Sequence, residues 1–200
     1  MSGAWALPMN RAGLLRTGVG GGAALLGLGV WAERAAAAVP DVDLSYLRLL
    51  VATELLKADF ATQAIASGKL GTPAAGIVRH MHAADHAHYT GLAALMNDAG
   101  QRPATADDIA FSYPRGTFAS ARSAATLAWK LTSLTLGAYL GALEQVQTPT
   151  IRLPLGQIAA NEAQQQSALA PLVGRQSIGS AFAAALPIDA VSAALDHYES

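Results

Sequence analysis

The chain has no cysteine, which excludes disulfides, thiolate metal sites and lipid attachment through a thiol, and leaves the redox compartment unreadable. Charge is scarce too: 14% of the residues are charged, the formal net charge is -1, and no basic run occurs. Nothing in that balance points to nucleic acid or to an anionic membrane surface. Long apolar runs are also missing. The 13 uncharged residues between Lys130 and Glu144 fall short of a membrane span, which needs about 20. Neither a Gly-x-Ser-x-Gly elbow nor a phosphate-binding loop accompanies a strand pattern, so the usual hydrolase and nucleotide signatures are absent.

What the chain does have is apolar bulk, at 52% hydrophobic residues with alanine dominant. Alanine is the strongest helix former, so a tightly packed helical protein is expected. Two hundred residues suit one domain plus a targeting segment. Residues 1–38 read as an export signal. Arg11 and Arg16 form a positive region, Gly18 to Trp31 a short apolar core, and Ala36-Ala37-Ala38 a small-residue cleavage site. Asn10 to Arg16 resembles a twin-arginine signal in which Ala12 replaces the second arginine. Cleavage near Ala38 would release a mildly acidic extracytoplasmic domain, secreted or held in the cell envelope without a stable membrane span. Its expected partners are another copy of itself or an envelope protein.

Beyond the signal, apolar residues recur at three- and four-residue spacing in four long segments. Asp41 and Asp43 offer N-caps for a first helix reaching about Ser67, where Gly68 stops it. Thr72-Pro73 starts a second, which ends at Gly100. Gln101 to Gly116 has no sustained period and reads as a long connection. A third helix runs from Thr117 to Gln145. A fourth runs from Thr148-Pro149 to about Val173, with Pro154 near its start and Gly174 at its end. After a connector, Pro187 opens a short last helix. The expected fold is therefore all-α: a four-helix bundle over residues 39–174, with a long connection between helices two and three, and a C-terminal connector and short helix over 175–200.

Each long segment places polar groups in the middle of its apolar stripe: Glu54, Asp85 with His88, Thr132, and Glu162 with Gln165. Lys57 falls about 60° off its stripe, at the rim. Bundles that hold two metal ions take one Glu from each of two helices and Glu-x-x-His from each of the other two. Carboxylates balance and bridge the cations, while imidazoles complete the coordination. This chain keeps Glu54, Asp85, His88 and Glu162, but has Thr132 and Gln165 where a Glu and a His belong. Two readings follow. One iron or manganese ion (or zinc) could be held by Glu54, Asp85, His88 and Glu162, or the same groups could form a metal-free polar core with Tyr139, Thr132 and Gln165. A second tightly held ion is not expected, and restoring Glu at 132 and His at 165 should raise binding towards two.

Four pieces carry a family resemblance: Thr53 to Phe60, Asp85 to His88, Ala138-Tyr139-Leu140-Gly141-Ala142 and Asn161 to Gln165. Through them the chain resembles the exported ferritin-like domain proteins of bacteria, related to desiccation-associated proteins. That resemblance implies a ferritin-like bundle with a degenerate metal centre and a structural or stress-associated binding role; the alternative is a mononuclear metal-binding protein or weak metalloenzyme that uses Glu54, Asp85, His88 and Glu162. Separately, His82 and His86 stand i, i+4 on the outward face of the second helix. They could chelate zinc, copper or nickel as a partial site, but Ala83 stands where a metalloprotease requires Glu.

Overall fold

The computed structural model describes residues 38–200, so the export segment expected over 1–38 lies, but for Ala38, outside the described residues. Five α-helices follow one another: α1 (Asp41–Ala66), α2 (Ala74–Asp98), α3 (Ala121–Gln145), α4 (Pro149–Leu169) and α5 (Ile188–Asp196), with a 3-10 turn over Ala170–Val173. The all-α expectation holds. Gly68, Gly100 and Gly174 stop their helices with positive φ, a conformation that costs glycine little.

Several helix starts differ from the sequence reading. Asp41 and Asp43 do not cap α1, which begins after Pro40 without a side-chain cap. Asp43 is instead fully buried, and its two carboxylate oxygens accept from the backbone N–H groups of Gln147 and Thr148, both at 2.8 Å. It therefore anchors the turn that opens α4, where a carboxylate also meets the positive end of the helix dipole. α3 begins at Ala121 rather than Thr117, because Ser120 and Ser123 exchange a reciprocal capping box. Pro154 stays inside α4 without ending it, since it lies near the N-terminus where few intrahelical N–H bonds are lost.

α1 packs on α2 and α3, and α4 packs on α3 and α2, so α2 and α3 occupy opposite corners. The chain must cross between those corners, which explains the length of the 99–120 connection. That connection covers the outer side of α1. Tyr113 O–H lies 3.1 Å from Leu56 O and 2.7 Å from Asp59 Oδ2, and its ring meets Phe60 and Phe118 edge-on. α1 is consequently buried almost all round from Tyr46 to Lys57.

Gly137 and Gly141 of α3 admit the C-terminal connector. Leu186 N–H donates to Gly137 O at 2.9 Å, and a Cβ on Gly141 would collide with Leu186 O. Among the described residues, no helix is long and apolar enough to cross a membrane.

Candidate metal centre

All four long helices send polar side chains to one point. Glu54, Asp85, Thr132 and Glu162 are fully buried, and His88 and Gln165 nearly so. One ligand atom from each of Glu54, Asp85, His88 and Glu162 lies within 4.8 Å of the others. The helical phasing that put these residues on inward stripes is correct.

Lys57 is the residue that the sequence reading misplaced. It is 2% exposed, not at a rim, and its ammonium lies inside the cluster. Nζ donates to Asp85 Oδ1 at 2.8 Å, Glu162 Oε2 at 2.5 Å and Gln165 Oε1 at 3.1 Å. The reason is physical: with the 99–120 connection covering α1, a side chain beside the stripe has no water to reach, and three buried carboxylates attract it. Gln165 Nε2 completes this half of the centre by donating to Asp85 Oδ1 at 3.1 Å and Asn161 Oδ1 at 3.0 Å. Lys57 thus occupies the half that has Gln165 in place of a histidine.

The other half is arranged differently. His88 Nδ1 lies 3.3 Å from Glu162 Oε1 and 3.5 Å from Glu54 Oε1, and neither contact has hydrogen-bond alignment. Tyr139 O–H donates to Glu54 Oε1 at 2.6 Å. Four buried atoms, one on each of the four ligand residues, have no partner here: Glu54 Oε2, Asp85 Oδ2, His88 Nδ1 and Glu162 Oε1. Such atoms each cost about 1–3 kcal/mol when left unsatisfied, so the four together call for a proton or a cation.

The electrostatics agree. Burial pushes the Glu54 and Asp85 carboxyls up, against the pull of Lys57. Burial alone would lower His88, but the Glu162 and Glu54 carboxylates outweigh it and raise the imidazole to about 9. Lys57 is likewise raised, burial being overcome by Glu162, Glu54 and Asp85, so it stays charged. Burial and Glu54 hold Tyr139 far above the usual phenol range, as a neutral donor. With His88 neutral, three carboxylates and one ammonium leave two negative charges, which one divalent cation would balance. The residues present fit one such ion: three carboxylates and an imidazole, each with an unpartnered atom.

The ferritin-like domain family matches residues 42–175, well over half of the chain. The protein belongs to the ferritin-like domain family. No curated protein matches the chain significantly. Within this family setting, the cluster of Glu54, Asp85, His88 and Glu162 supports a metal-binding helical protein. Lys57 could have been found from sequence by asking which cation balances three inward carboxylates, since α1 offers only Arg48 and Lys57.

Proposed function

We propose that this ferritin-like bundle binds a single divalent ion, iron or manganese, at Glu54, Asp85, His88 and Glu162, with Lys57 as a built-in cation in the neighbouring position. The observation that carries this reading is the set of unpartnered buried atoms, one on each of the four ligands. Glu162 joins the two halves, one oxygen on Lys57 and the other beside His88. The ammonium repels a second metal, while Asp85 and Glu162 stay in place through their bonds to it. A bound ion would supply Lewis-acid or redox capacity. The side chains hold it in a water-poor site, with Tyr139 fixing the Glu54 carboxylate. We further propose that the domain acts outside the cytoplasm in a stress-associated binding role, a view that rests on residues 1–38 and on the resemblance.

A second reading has its own support: with His88 charged below about pH 9, Lys57 and His88 together offset most of the carboxylate charge without any metal. Calorimetric titration with Mn²⁺ at pH 7, repeated in buffers of different ionisation enthalpy, separates the two. One ion per chain with release of about one proton, given up by His88, is expected. No binding at that pH would leave a metal-free polar core.

A further inference from the structure

The centre does not use the histidines on the outer face of α2, and one of them is oriented by a bond from another helix. We infer that His82 and His86 form a second, surface metal site for a borderline cation of the Ni²⁺, Cu²⁺ or Zn²⁺ kind, chemically distinct from the buried carboxylate centre. Both residues lie within the unbroken helix Ala74–Asp98 at i, i+4, which sets their Cβ atoms about 5–6 Å apart on one face. His86 is exposed and His82 half-buried, and among the described residues the His86 ring makes no hydrogen bond.

The tautomer of His82 follows from its neighbour. Thr62 Oγ1 lies 3.2 Å from His82 Nε2. The single hydroxyl proton of Thr62 is already donated to Ala58 O at 2.9 Å. With that proton on Ala58 O, Thr62 accepts from the imidazole, and in this arrangement Nε2 carries the ring proton while Nδ1 keeps a free lone pair. This is the arrangement in which an outer partner fixes a ligating histidine and raises its basicity. Imidazole pairs select nickel, copper and zinc, whereas carboxylate-rich sites suit manganese, so the two sites differ in the ions they prefer. His80 belongs to another face: it borders a cavity of about 310 Å³ with Asn161, Gln164 and Gln165 of α4.

Ni²⁺ titration of the full chain, followed by calorimetry and the ligand-field spectrum, tests the assignment. His82→Ala and His86→Ala should each weaken binding by about 100-fold, the advantage lost when two tethered ligands become one. Thr62→Val should weaken it by about tenfold through the His82 tautomer, and His80→Ala should leave it unchanged. Mn²⁺ binding to the buried centre should not respond to any of these changes. Unaltered Ni²⁺ affinity in His82→Ala or His86→Ala would overturn the site, as would an equal loss in His80→Ala.

Discussion

The Lys57 ammonium and the Glu162 carboxylate meet at 2.5 Å in the middle of the bundle, from helices at opposite corners, with 2% and 0% of their side chains exposed. Desolvating two charges is costly, and the pair persists because Asp85 and Gln165 complete the ammonium's bonds. The centre of this bundle encloses a cation that is covalently part of the chain.

Lys57→Met should therefore destabilise the metal-free protein by about 3–5 kcal/mol, the usual cost of leaving a buried charge without its partner. Mn²⁺ should restore much of that loss, and metal content should rise from one ion per chain towards two. Thermal unfolding with and without Mn²⁺ reads both effects. Thr132→Glu with Gln165→His should add a second ion fully only when Lys57 is also replaced, because the ammonium stands against Gln165.

Stability should fall with rising pH in the absence of metal. His88 is raised from 6.5 to about 9, so its contribution is complete below about pH 6.5 and lost as pH climbs through 9. The raised Glu54 and Asp85 carboxyls act in the same direction at lower pH, since each favours the folded state when protonated. The His88 share is at most about 3 kcal/mol. Unfolding midpoints from pH 6 to 9.5 should show this slope, and His88→Gln should flatten it. Mn²⁺ affinity should run the opposite way and increase with pH as the imidazole loses its proton.

Much of this arrangement was legible in the sequence. Helical phasing placed Glu54, Asp85, His88, Thr132, Glu162 and Gln165 inside, because a polar group on an apolar stripe has nowhere else to point. Lys57 was not legible by phasing, for its side chain is long enough to turn either way and the deciding cover comes from residues 99–120. Asp43 misled for a related reason. Its position at the start of α1 suggested a local cap, whereas its partners are 104 and 105 residues away. Local pattern reports the face of a helix; it does not report which distant backbone meets that face.

Asp43→Ala should cost about 1–3 kcal/mol, the usual penalty for backbone amides left without their partner, with the turn before α4 losing amide-exchange protection first. Asp41→Ala, at an exposed position without a cap bond, should leave both measurements nearly unchanged.

Tyr139→Phe removes the donor to Glu54 Oε1 and leaves a buried carboxylate oxygen bare, at about 1–3 kcal/mol. The loss should shrink when Mn²⁺ is present, because Glu54 then has another partner. Chemical denaturation with and without the ion reads the difference.

Gly141→Ala should displace the connector rather than α3, since the added Cβ would collide with the Leu186 carbonyl. Overpacking of this kind costs about 1–3 kcal/mol, and limited proteolysis should cut faster between Arg175 and Pro187.

The most direct test of the centre is anomalous diffraction from crystals of the protein grown with Mn²⁺. One peak is predicted, bounded by Glu54, Asp85, His88 and Glu162, with Lys57 Nζ still against Asp85 and Glu162. Two peaks, or one peak in the place of the Lys57 ammonium, would contradict the account, and so would crystals in which this cluster carries no peak at all.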